Sequence, residues 1–160
     1  MRVRSFFSLL VVAMLTIAGS ARASDEKLPH FAALRADEVN LRTGPGERYP
    51  IAWVYHRKGL PVEVTAAFDV WRKVRDSGGT EGWVHERMLS ADRSIVVEGG
   101  EQTLFADPTA SAQPVARAEA GVVARLLECR ASWCRIETQG IKGWLPERGL
   151  WGVAPGETVQ

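Results

Sequence analysis

Gly59-Leu60-Pro61-Val62-Glu63-Val64, then Trp71-Arg72-Lys73-Val74, then Gly82-Trp83-Val84-His85-Glu86-Arg87: these stretches decide the fold, because each occurs twice. They recur as Gly121-Val122-Val123-Ala124-Arg125-Leu126, Trp133-Cys134-Arg135-Ile136 and Gly143-Trp144-Leu145-Pro146-Glu147-Arg148, at offsets of 62, 62 and 61 residues. Upstream, Leu41 with Gly44-Pro45 matches Leu104 with Asp107-Pro108 at an offset of 63. The order is kept and the offsets drift by single residues, as changes in loop length produce. The chain therefore carries two copies of one module of about 60 residues.

Each copy reads as short strands. Leu60, Val62 and Val64 alternate with Pro61 and Glu63, the period of a half-buried strand. Thr43-Gly44-Pro45-Gly46 predicts a type II turn, with Pro45 presetting its φ and Gly46 at positive φ. Asp76-Ser77-Gly78-Gly79-Thr80 predicts a hairpin turn, a job done by Gln139-Gly140 with one residue fewer in the second copy. Helix-compatible stretches are confined to Phe31–Arg35 and Glu86–Leu89. The fold class is all-β. A module this small is marginal alone, and closing its strands into a small barrel removes exposed edges. With only Ala91-Asp92-Arg93-Ser94 between the copies, the two barrels are expected to touch.

The chain of 160 residues balances 20 basic against 19 acidic side chains, a net charge of +1. Nothing in that balance marks a nucleic-acid partner. Arg2 and Arg4 precede an apolar run from Phe6 to Ala18, and Ala21-Arg22-Ala23 supplies small residues at the positions a signal peptidase reads. The run is too short for a hydrocarbon core that needs about 20 residues, which argues against the alternative of an uncleaved anchor. Residues 1–23 are expected to be a cleaved signal peptide, followed by a first barrel over 34–91 and a second over 94–153. Removal of Arg2, Arg4 and Arg22 would take the charge to −2. The expected location is periplasmic or secreted, with no stable membrane insertion.

Cys129 and Cys134 are the chain's two cysteines, and they bracket Arg130-Ala131-Ser132-Trp133 in the predicted hairpin of the second copy. That spacing can set them opposite each other, and an oxidising compartment favours a structural disulfide. His30, His56 and His85 form no metal-ligand spacing, so neither a metal nor another cofactor is expected. If Val74 faces the core, alternation puts Trp71 and Lys73 on the opposite face, and likewise Trp133 against Ile136. Trp71 there is either a platform for a sugar ring, peptide or partner, or a ring covered by neighbouring loops. For Trp133 the covered reading is favoured. Trp83 and Trp144, each beside a glycine, read as packing residues.

Val39-Asn40-Leu41-Arg42-Thr43-Gly44-Pro45-Gly46, with Tyr49-Pro50-Ile51, Gly59, Trp71-Arg72-Lys73-Val74 and Gly82-Trp83-Val84 before Leu89, resembles the bacterial SH3-like (SH3b) family over about 55 residues. The second copy keeps Gly121, Trp133 and Gly143-Trp144-Leu145 without the Asn-Leu-Arg signature. The whole is similar to exported double-SH3b proteins of proteobacteria. This resemblance implies two tandem small SH3-like β-barrels and a binding or scaffolding role at the cell envelope. Members fused to cell-wall enzymes commonly target peptidoglycan. The peptide groove of eukaryotic SH3 domains is matched only at Trp71, Trp133 and Pro146, since Met88 and Gly149 stand where its tyrosine would be, so a proline-rich ligand is not implied.

A groove in the first copy, formed by Arg42, Tyr49, Tyr55 and Trp71, is the expected ligand site. The expected partner is peptidoglycan or cell-wall peptides; a periplasmic protein partner, with the chain as an interaction scaffold, is the alternative. No catalytic residue is assigned. Two barrels leave no room for a separate catalytic domain, and no G-x-S-x-G nucleophile motif is present. A site between the modules using His85 and Glu86 is the enzymatic alternative.

Overall fold

The computed structural model describes residues 26–160, so the expected signal peptide lies outside the described residues. The first unit comprises β1 (His30–Leu34), β2 (Val39–Arg42), β3 (Ile51–Tyr55), β4 (Pro61–Phe68), β5 (Trp71–Arg75), β6 (Glu81–His85) and β7 (Leu89–Ser90). The second comprises β8 (Ser94–Val97), β9 (Gln102–Phe105), β10 (Pro114–Ala118), β11 (Val123–Arg130), β12 (Trp133–Thr138), β13 (Ile141–Pro146) and β14 (Leu150–Trp151). Each unit is one antiparallel sheet, ordered β3-β2-β6-β5-β4-β1-β7 and β10-β9-β13-β12-β11-β8-β14. Strand for strand, the second order repeats the first. The internal repeat in the sequence is thus a repeat of topology, and the fold is two tandem SH3-like β units.

Alternation builds both cores. Val39, Leu41, Val62, Val64, Val74 and Val84 are wholly buried in the first unit. Ile95, Val97, Leu104, Ile136 and Leu145 are their counterparts in the second. Each such side chain contributes roughly 1.5–3 kcal/mol through burial. A bulge opposite β5 falls between Val64 and Ala66, and one opposite β12 falls between Leu126 and Glu128. The same local bend is therefore encoded in both copies.

The glycine before each tryptophan has a packing cause. A Cβ on Gly82 would lie 2.6 Å from Leu41 Cγ and 2.8 Å from the Arg42 carbonyl oxygen. One on Gly143 would lie 2.8 Å from Leu104 Cβ. β6 and β13 cross β2 and β9 too closely for any side chain at those positions, which is why Gly-Trp appears in both copies.

Two local expectations are corrected. Phe31–Arg35 is not helical: His30–Leu34 is a strand hydrogen-bonded to both β4 and β7. Those long-range pairings override local propensity. Gly46 does not take positive φ, so the turn is not the expected type II. The glycine need in this loop is at Gly44, where a Cβ would collide with the Tyr49 ring. Glu86–Met88 forms a single 3-10 turn, within the second stretch read as helix-compatible. The hairpin turn at 76–80 closes through the Asp76 amide donating to the Thr80 oxygen at 3.1 Å and the Gly79 amide donating to Asp76 at 3.1 Å.

The two units meet. Phe31 packs edge-on against Trp151 with ring centroids 5.4 Å apart. The Arg75 guanidinium lies 5.5 Å from the Trp151 ring. Arg57 donates to the Gly121 carbonyl at 3.2 Å. Phe31 of β1 and Arg75 of β5 meet the last strand of the second unit, and Arg57 of the β3–β4 loop meets Gly121 of the β10–β11 loop, so the short connection after β7 leads directly into a packed seam.

Candidate functional site

On the outer face of the first unit, β5 presents Trp71 opposite His85 of β6. Their rings meet edge to face with centroids 5.5 Å apart. Val74 and Arg72 point inward along the same strand, so alternation places Trp71 as the sequence implied. Beside it opens a cleft of about 320 Å³ lined by Asn40, Arg42, Glu47, Trp71, His85 and Met88, among others. The cleft therefore combines an aromatic wall with amide, guanidinium, carboxylate and imidazole groups. His85 is itself held, since its Nδ1 accepts the Arg87 amide at 3.2 Å as the chain enters the 3-10 turn.

The four residues expected to form the ligand site separate into three environments. Arg42 and Trp71 share the cleft. The Arg42 guanidinium donates to the carbonyls of Glu47 (3.1 Å) and Tyr49 (2.8 Å), so it also braces the β2–β3 loop. Tyr49 sits on that loop, its ring against Gly44 and the Arg48 guanidinium 5.2 Å from its centroid. Tyr55 is in the core at 5% exposure, and its hydroxyl donates to Asp76 Oδ2 at 2.9 Å. Burial, then the Asp76 carboxylate, push its phenol well above the ordinary tyrosine value. Tyr55 thus locks the 76–80 turn to the core and lies away from the cleft.

Two further residues matter that the sequence reading passed over. Arg72 is only 9% exposed, yet it carries a full charge. Its Nε donates to Glu26 at 2.7 Å, another guanidinium nitrogen pairs with Glu86 at 2.9 Å, and a third bond goes to the Asp69 carbonyl at 2.8 Å. Glu26 also lies 3.2 Å from His30 Nε2. This network ties the strand carrying Trp71 to the 3-10 turn at the cleft rim. The signal was available: with Val74 inward, Arg72 is inward too, and an inward charge demands partners. Trp53 is 56% exposed although it faces buried Leu41 across the ladder. Alternation alone gives it an inward parity, but β3 is a sheet edge and no strand pairs beyond it among the described residues.

The second unit arranges the equivalent surface differently. Trp133 pairs with Pro146 and packs edge-on against Phe105 at 5.9 Å. Its adjoining cleft is smaller, about 230 Å³, between Ser132, Trp133, Pro146 and Arg148. Trp144 is 5% exposed beneath the Arg130 guanidinium, 4.9 Å from its ring, whereas its counterpart Trp83 is half-buried between Arg42 and Lys73. Cys129 and Cys134 form a disulfide across β11 and β12, closed by a two-residue turn with Ala131 and Ser132 both at positive φ. Among the described residues there is no cluster of three His, Cys, Asp or Glu able to hold a metal, and no helix long and apolar enough to cross a membrane.

Comparison with known proteins addresses the family directly. A model of the bacterial SH3 domain family matches residues 35–91 and again 98–152, together well over half of the chain. No curated protein matches. Among solved structures, NlpC2 from Trichomonas vaginalis is 15% identical, covering 77% of this chain and 48% of its own, with a TM-score of 0.36. NlpC1 from the same organism is 17% identical, covering 86% of this chain and 50% of its own, also with a TM-score of 0.36. The chain spans about half the length of those structures. With the core repeated in the same topology and the family matched over both copies, the chain belongs to the bacterial SH3 domain family.

Proposed function

We propose that this protein is an exported, non-catalytic binding module that contacts peptidoglycan or cell-wall peptides through the cleft at Trp71. The observation that carries this reading is the composition of that cleft, an aromatic face beside Asn40, Arg42, Glu47 and His85. A sugar–peptide polymer presents C–H faces and amides together. An aromatic ring packs against the first, and a few placed polar groups orient the second. The disulfide supports a periplasmic or secreted location, where such bonds persist.

A second reading, a periplasmic protein-interaction scaffold, is favoured by edge strand β3, which exposes Ile51 and Trp53. An extended partner segment could pair with that edge. Pelleting of the purified protein with isolated sacculi separates the two. Trp71→Ala, checked for an unchanged urea midpoint, is expected to weaken pelleting roughly thirtyfold, the scale of losing an aromatic anchor. Trp133→Ala is expected to change it little. If folded Trp71→Ala pellets as the parent does, the cleft assignment fails.

A further inference from the structure

The seam between the two units holds an open cleft of about 510 Å³. Its charged lining comprises Arg35, Lys58, Arg93 and Arg125, against a single acid, Asp92. In a chain whose charges otherwise nearly cancel, that is a local excess of positive charge. Two of the four cations are already committed. Arg93 pairs with Glu157 at 2.6 Å, and Arg35 donates to the Leu89 carbonyl at 3.0 Å. Lys58 and Arg125 are exposed, and neither has a carboxylate within 4 Å among the described residues; Glu137, opposite Arg125 in the ladder, does not reach it. One comes from each unit.

A second observation points the same way. Ser94, 7% exposed, lines the cleft with its hydroxyl buried and unpartnered, and Arg93 Nε beside it is buried without an acceptor. Unsatisfied buried donors are costly, and both atoms lie just beneath the cleft surface, where a bridging water would link them to a bound acceptor. Ala33 and Val123 add apolar surface to the lining. A space of this size with part-apolar walls suits a peptide better than a small inorganic anion.

We propose that this seam cleft binds a short acidic peptide through its carboxylates, with Lys58 and Arg125 as the free cations contributed by the two units. The site is composite, complete only when the units are docked, and independent of the Trp71 cleft. The test is calorimetric titration of the whole protein with tetraglutamate at low salt, with tetralysine and inorganic phosphate as comparison probes. Tetraglutamate is expected to bind, and Lys58→Gln with Arg125→Gln is expected to weaken it about tenfold, as loss of two charged contacts would. Raising the salt toward 0.2 M is expected to weaken it further. Neither side chain makes a hydrogen bond among the described residues, so the double variant is expected to keep the parent's urea midpoint. Trp71→Ala is expected to leave the titration unchanged, which separates this site from the wall-binding cleft. Equal binding of tetralysine, an unaffected double variant, or binding of phosphate in place of the peptide would each overturn the proposal.

Discussion

At one cross-strand position the two units are locked by different chemistry. In the first, Ala67 of β4 faces Arg72 of β5; in the second, Cys129 of β11 faces Cys134 of β12. The inward site that follows each outer-face tryptophan thus holds a charge in one copy and a sulfur in the other. Arg72 reaches out to Glu26, ahead of β1, and to Glu86, on the 3-10 turn. The disulfide stays within its own hairpin, across a separation of five residues. Both locks hold the strand that presents the tryptophan. Only the Arg72 lock also couples that strand to the cleft rim and to the segment entering the domain. The copy with the larger cleft therefore has the more distributed lock.

The largest expected effect comes from breaking the first lock. Arg72→Ala removes an inward guanidinium with bonds to two carboxylates and two carbonyls. Breaking buried pairs typically costs 3–5 kcal/mol. Because Glu26 and Glu86 retain access to water, about 2–4 kcal/mol is expected here. Urea unfolding followed by tryptophan fluorescence should show a first transition moved to lower denaturant and a second one unmoved. A comparable shift in both would mean that the units unfold as one.

Next in size is the second lock. Cys129→Ala with Cys134→Ala is expected to cost about 2 kcal/mol by loop entropy, confined to the second unit. The equivalence itself can be sharpened by transplanting the bond. Ala67→Cys with Arg72→Cys places two thiols at the register that Cys129 and Cys134 occupy. The pair is expected to oxidise, seen as linked peptides in mass spectrometry without reduction. It should restore much of the stability lost in Arg72→Ala. Two free thiols under oxidising conditions would show that the hairpins differ more than their registers suggest.

How much of this was legible beforehand follows from range. The repeat, the inward valines, the turns at 76–80 and 139–140 and the cysteine pair were readable because each depends on residues close in sequence. β1 was misread because its strand state depends on pairing with β4 and β7, far along the chain. Trp53 and Tyr55 share a parity on edge strand β3, yet one is exposed and the other buried, because the core lies under only the Tyr55 end of that strand. Periodicity carries face but not position in the sheet. In the 43–46 turn a glycine was expected at Gly46 for a conformational reason, whereas the actual constraint is at Gly44, in contact with a ring five residues on. The Trp71 cleft was legible in its aromatic half, and the inward parity of Arg72 was readable from Val74; its partner Glu26 was not, because it lies outside the repeated segment.

The smallest expected effect concerns the seam, and there the sign carries the information. The hydrogen bond from Arg93 holds the Glu157 carboxyl below its ordinary value, against the opposing effect of burial and with help from the Ala154 amide. A carboxylate depressed in the folded state adds stability that is fully present above its unfolded pKa, near 4.5, and is lost as pH falls through the folded value. Glu157→Gln should therefore lower the second unit's urea midpoint at neutral pH, by less than about 1 kcal/mol because the pair is partly in water. The gap between variant and parent should then narrow on acidification and close once the parent's carboxyl is protonated. The disulfide does not titrate, so the cysteine-free variant should show a gap that is flat across the same range. A Glu157→Gln gap that widens in acid would mean that Arg93 is better off without the charge, and that the seam is held by the Phe31–Trp151 contact and the Arg57 bond instead.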